Sequence, residues 1–173
     1  MLRTVAGPVV KLIFGYKCKK YKGPQRPSII MSNHNANLDP AFVMFGFTGH
    51  AYFVASEHAF RKGFRSKLMR FAFDPIPISK AQADSSVLKE MFRRLRAGHN
   101  IGIFIDGNRS FNGITGDNVT PAAAKMVRFS KADLITFRLE GVYFTTPRWA
   151  RGMRRGKMTG AVTGRYTALP KRA

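Results

Sequence analysis

Short apolar runs recur along this chain, and stretches with helical spacing stand between them. PSIIMS, AYFVAS, PIPIS and NIGIFID occupy residues 27–32, 51–56, 75–79 and 100–106. DLITFRLEG follows at 133–141, and a last strand is predicted near 158–166. Runs this short and this rich in isoleucine, valine and phenylalanine read as buried strands. Between them, residues 57–73 place Phe60, Phe64, Leu68 and Phe71 or Ala72 on one helical face. Val87, Leu88, Met91, Phe92 and Leu95 form a second stripe, with Asp84 as its cap and Gly98 as its stop. Thr120 and Pro121 open a helix to about residue 130. Strands alternating with helices predict an α/β layered sheet. In such sheets ligands bind at the carboxyl ends of strands.

The chain of 173 residues is long enough for one domain with its own core. Lys and Arg number 30 against 9 Asp and Glu, a formal charge of +21. A field of that sign draws polyanions: nucleic acid, an anionic bilayer, a phosphorylated substrate or an acidic carrier protein. Cys18 is the single cysteine, so no intramolecular disulfide forms, which suits a cytosolic setting. No stretch reaches the roughly 18 apolar residues of a spanning helix. The longest, 41–55, is broken by Gly46, Gly49 and His50. Residues 1–16 carry no secretory signal pattern. Residues 2–15 read equally as a helix on a membrane surface, backed by the basic run to residue 22, or as a first helix packed on the core.

One loop breaks the pattern. IIMSNHNANLDPAFV, residues 29–43, sets His34 just past a buried strand and Asp39 five positions later. Asp39 and Pro40 predict a short apolar helix over 40–47, with the acid as cap and proline at the first helical position. A loop of this length can fold back so that the carboxylate meets one imidazole nitrogen. That contact holds one tautomer and raises the basicity of the other nitrogen. A histidine with an orienting acid and no protein nucleophile suits proton removal from a substrate's own hydroxyl. A second loop, FIDGNRSF at 104–111, has Gly107 for a tight turn, Arg109 as a planar fork for phosphate, and Ser110 as a further donor. A third, FDPIPISK, ends at Lys80. His50, His58 and His99 are scattered and lack partners at metal-ligand spacing.

SNHNANLDP resembles the His-x4-Asp motif of the glycerolipid acyltransferase family, of the 1-acylglycerol-3-phosphate acyltransferase type. FIDGNRS, about 70 residues further on, resembles that family's Phe-Pro-Glu-Gly-Thr-Arg-Ser block. LITFRLEG stands in the place of its fourth block, and the likeness covers roughly residues 10–145. The resemblance implies a layered α/β/α sandwich around a mixed, mostly parallel sheet, with residues 1–173 as a single domain. It implies His34 as general base and Asp39 as its orienting partner. Asp106, Gly107, Asn108, Arg109 and Ser110 would then shape the phosphate side of the site, together with Lys80. Asp106 stands where the family has glutamate, Asn108 where it has threonine, and Lys80 where it has arginine. LITFRLEG lacks the fourth block's usual proline.

The reaction so implied moves a fatty acyl group from acyl-CoA or acyl carrier protein to a glycerol-phosphate hydroxyl, with neither metal nor bound cofactor. The expected acceptor is 1-acyl-sn-glycerol-3-phosphate, the product phosphatidic acid, and the expected location peripheral on the cytoplasmic face of a membrane. Glycerol 3-phosphate and other lysolipids are alternative acceptors. Trp149 and the segment RWARGMRR are candidate membrane contacts. Two rival readings are a basic nucleic-acid-binding module, suggested by RKGFRSKLMR, and a membrane-binding or regulatory protein of the same fold without activity.

Overall fold

The computed structural model describes residues 2–23, 26–56, 74–78, 85–106, 109–113, 121–145, 149 and 154–167. Among the described residues seven strands form one sheet: β1 (Tyr16–Cys18), β2 (Ser28–Ser32), β3 (Ala51–Ser56), β4 (Ile76–Ile78), β5 (Asn100–Phe104), β6 (Asp133–Glu140) and β7 (Met158–Tyr166). Their order across the sheet is β1-β7-β6-β2-β5-β3-β4. All neighbours run parallel except β6 and β7, which are antiparallel. Among the described residues the α-helices are α1 (Leu2–Phe14), α2 (Asp39–Met44), α3 (Ser85–Arg96) and α4 (Pro121–Ser130).

The parallel strands are covered on both faces, as their near-continuous apolar runs require. Ile29 and Ile30 are both fully buried yet belong to different cores. Ile30 joins Phe53, Ile135, Phe137 and Leu139 under Phe14 of α1, Phe42 and Val43 of α2, and Phe45 just past its end. Ile29 joins Met31, Ile101 and Ile103 under Val87, Met91 and Leu95 of α3 and Met126 of α4. Two cores back to back across one sheet make the α/β/α sandwich that the resemblance implies.

The differences from the sequence reading have local causes. Strand β1 was not anticipated: it is three residues long and lies in the lysine-rich run, with only Tyr16 buried. Residues 105 and 106 form a turn, so β5 stops at Phe104. Helix α1 packs on the first core through its end. Phe14 enters the core, while Val9, Leu12 and Ile13 stay exposed. The single cysteine, Cys18, packs partly buried against the first core. The helix expected over 57–73, Asp84 and Thr120 lie outside the described residues.

The sheet order fixes where a site can be. From β2 the chain moves to β3 and β4, returns to β5 beside β2, then crosses to β6 on β2's other flank. The order therefore reverses at β2, and the carboxyl ends of β2 and β5 open on that switch point, where ligands of open α/β sheets bind.

Candidate active site

At the end of β2 the chain is pinned from both sides. Ile105 N donates to Ser32 O at 2.9 Å. On the other flank the Asn33 side chain acts as a peptide group: its Nδ2 donates to Leu139 O and its Oδ1 accepts from Leu139 N, each at 2.8 Å. His34 leaves the sheet from this clamp.

The next turn closes on Asp39, which is fully buried. Its Oδ2 accepts from the amides of Asn35 at 2.6 Å and Ala36 at 2.8 Å. The same oxygen lies 2.9 Å from His34 Nδ1. The acid thus does not cap its own helix, as the sequence suggested. Leu38 is the N-cap and makes no side-chain cap bond, Asp39 is the first helical residue, and Pro40 follows it. The carboxylate reaches backward and staples the loop that carries the histidine. An ionised carboxylate offers only lone pairs. The Nδ1 of His34 therefore carries the proton, and Nε2 is left as the basic nitrogen. No described residue hydrogen-bonds that Nε2, and the His34 side chain keeps 19% of its surface open. The second carboxylate oxygen of Asp39 is buried without a hydrogen-bond partner among the described residues.

The ring's orientation has a second support. Phe104 stacks on His34 at 4.1 Å between centroids, with 15° between planes. Phe53 stacks on Phe104 from below at 5.3 Å. Phe53 has room because its cross-strand partner is Gly102, where a Cβ would lie 2.3 Å from the Phe53 ring. Helix α2 is held from beneath by Tyr16, whose hydroxyl donates to Phe42 O at 2.7 Å. Burial, chiefly, pushes the Tyr16 phenol above its ordinary range, so it remains a donor.

The loop after β5 comes to the same place. Ser110 N donates to His34 O at 2.8 Å, which ties the two loops directly. Arg109, the residue before it, is partly exposed. Ser110 was expected to offer donors to a ligand. Its amide is instead taken by His34, and its hydroxyl donates to Asn112 Oδ1 at 3.0 Å and accepts from Gly113 N at 2.9 Å. Asp106 places one carboxylate oxygen in a buried position with no hydrogen-bond partner among the described residues. Gly107, Asn108 and Lys80 lie outside the described residues. A cleft of about 740 Å³ opens alongside, lined in part by Asn33, Asn35, Asn112, Tyr143 and Phe144. His34 does not line it, although both of its chain neighbours do.

His50 and His99 flank Tyr52 edge-on, at 4.4 and 5.1 Å. They stand at the amino ends of β3 and β5, at the opposite edge from His34. His58 lies outside the described residues. Among the described residues no group of three His, Cys, Asp or Glu side chains could hold a metal ion. The sequence reading missed Asn33, Phe53, Gly102 and Phe104. Only Asn33 carried a signal, as a polar residue ending an apolar strand beside the histidine.

The acyltransferase family model matches residues 16–144. Comparison with curated proteins gives no match. Among solved structures, the crystal structure of the 1-acyl-sn-glycerophosphate (LPA) acyltransferase PlsC from Thermotoga maritima is similar, with a TM-score of 0.73 and 16% identity. The match covers 92% of this chain and 65% of that one. At this identity the likeness speaks for a shared fold alone. The family match spans well over half of the sequence, both loops included, and the chain belongs to the acyltransferase family.

Proposed function

We propose that this chain transfers a fatty acyl group from an acyl thioester, acyl-CoA or acyl-acyl carrier protein, to the hydroxyl of a glycerol-phosphate acceptor. The favoured acceptor is 1-acyl-sn-glycerol-3-phosphate, which would give phosphatidic acid. The observation that carries the reading is the pairing of His34 Nδ1 with Asp39 Oδ2 at 2.9 Å, which leaves Nε2 free to take a proton.

In this reading Nε2 of His34 removes the acceptor's hydroxyl proton as its oxygen attacks the thioester carbonyl. Asp39 stabilises the imidazolium. The tetrahedral intermediate then collapses, the new ester forms, the carbon–sulfur bond breaks, and the imidazolium returns its proton to the leaving thiolate. No protein nucleophile, metal or prosthetic group is required. Arg109 would grip the acceptor's phosphate, close to the base because Ser110 is bonded to His34. Asp106, Gly107, Asn108 and Lys80 would complete that side. The acceptor and product are anionic lipids, so the strong positive charge favours work at a membrane surface, peripherally on the cytoplasmic face. No helix among the described residues is long and apolar enough to cross a membrane.

The test is acyl transfer from labelled acyl-CoA and acyl-acyl carrier protein to 1-acylglycerol 3-phosphate, glycerol 3-phosphate and other lysolipids, with wild type beside His34→Ala. The variant is expected to lose at least about a hundredfold, the usual worth of a positioned base. Equal rates in both would refute the mechanism. The acceptor used fastest names the substrate.

A further inference from the structure

The carboxyl ends of β2, β5 and β6 share one rim, and that rim also presents large apolar side chains. Phe111, Phe144 and Trp149 are each more than half exposed. Single exposed apolar residues are ordinary, but these three are gathered. Trp149 Nε1 donates to Tyr143 Oη at 2.5 Å, and the Tyr143 hydroxyl donates to Phe111 O at 2.6 Å. The Tyr143 ring meets Phe144 edge-on at 5.0 Å. Arg154 brings its guanidinium to 6.0 Å from the Trp149 ring, and exposed Arg155 and Lys157 follow.

Strand register extends this rim to α1. Glu140 pairs with Thr159 and Tyr16 with Met158, so the start of β1 is level with the end of β6. Helix α1 runs into β1 and therefore ends at the same rim, with Leu12 and Ile13 more than half exposed. At Gly15, φ +64°, the backbone passes so close to the Gly156 carbonyl that a Cβ would lie 2.6 Å from it. The apolar end of α1 and the basic segment 154–157 are thus in contact.

We propose that this rim is the face by which the chain docks on an anionic lipid bilayer. Trp149, Phe144, Phe111, Leu12 and Ile13 sit at headgroup level, and Arg154, Arg155 and Lys157 meet lipid phosphates. Tryptophan and tyrosine with a satisfied polar end, beside aliphatic side chains and cations, are the chemistry of a membrane interface. The excess of 30 basic over 9 acidic residues supplies the attraction. Docked this way, the loop of His34 and Ser110 faces the lipid. The proposal rests on the acyl-transfer reading only in taking the partner to be the source of a lipid acceptor.

Trp149 is the only tryptophan, so the intact chain reports on this face by itself. Its emission is followed during titration with phosphatidylglycerol vesicles, with phosphatidylcholine vesicles, and with vesicles whose lipids are brominated near the headgroup. A blue shift and bromine quenching are expected with phosphatidylglycerol, weakened by added salt. Arg154→Gln is expected to lower vesicle partitioning about fivefold, the worth of one cation near an anionic surface. Co-sedimentation with vesicles while Trp149 emission stays unchanged would overturn the proposal, because another face would be binding. So would an absence of binding at low salt, or a Trp149 response to single-stranded RNA and not to vesicles. His34→Ala is expected to bind vesicles like wild type. Failure of the chemistry and failure of the docking face are therefore read separately.

Discussion

His34 lies flat on Phe104, ring centroids 4.1 Å apart, while its edge is bonded to Asp39. The imidazole is therefore fixed by two contacts at right angles, a carboxylate in its plane and an aromatic ring on its face. Phe104→Leu keeps the first and removes the second. Misplacing a base by an ångström costs up to about a hundredfold. We expect kcat to fall by roughly ten- to a hundredfold with KM for both substrates nearly unchanged, since only the transition-state geometry suffers. Steady-state kinetics on the favoured acceptor decide it, and an unaltered kcat would show the stack to be idle.

Asp39→Asn separates two duties that one carboxylate performs. The amide oxygen can still accept from Asn35 and Ala36, but the charge that holds the proton on His34 Nδ1 is gone. Acyl transfer should fall by about 10²–10⁴-fold. Stability should also fall, by about 1–3 kcal/mol, since the buried loop loses a charge-assisted anchor. His34→Ala should leave stability closer to wild type, because the two backbone bonds to Asp39 survive. Urea unfolding of the two variants side by side measures the difference.

The sequence made legible whatever depends on local pattern. Period and run length set the strands from β2 to β7, and the five-residue offset from His34 to Asp39 brought the pair together. What it concealed depends on partners distant in the chain. The side chain of Asn33 bonds to Leu139, 106 residues away, and no local rule marks such a partner. Gly102 reads as a weak point in a strand until Phe53 is seen to fill its missing Cβ. Asp39 beside Pro40 reads as a helix cap. The local rule lost because three donors from the preceding loop compete for its oxygen and are satisfied by turning back.

Asn33→Ala tests the clamp. The variant leaves the N–H and C=O of Leu139 buried and unpaired at the end of β6. Each such group costs about 1–3 kcal/mol. A drop of about 2–4 kcal/mol in urea-derived stability is expected, larger than for a surface asparagine. Asn33→Asp should not rescue it, because a carboxylate accepts from Leu139 N but cannot donate to Leu139 O. Equal stability of all three proteins would mean that β2 and β6 hold the loop without the amide.

Acid sensitivity should trace in part to Glu90, far from the site on α3. Its Oε1 accepts from Arg93 Nη2 and Arg94 Nε, both at 2.6 Å, and its Oε2 from Arg93 Nε at 2.7 Å. The bond from Arg93 is the largest influence, and the carboxyl is held at about 2 instead of its ordinary 4.5. Above 4.5 the group is ionised folded or unfolded, and its contribution to stability is complete. As pH falls from 4.5 towards 2 the unfolded chain takes up the proton first, and the contribution disappears. Glu90→Gln should therefore be less stable than wild type near neutrality and converge on it near pH 2. The effect is modest, because Arg93 is largely exposed and solvent screens the pair. Urea midpoints of both proteins across that range, at low salt and in about 1 M salt, give the reading. A constant gap down to pH 2 would assign the difference to helix packing instead of charge.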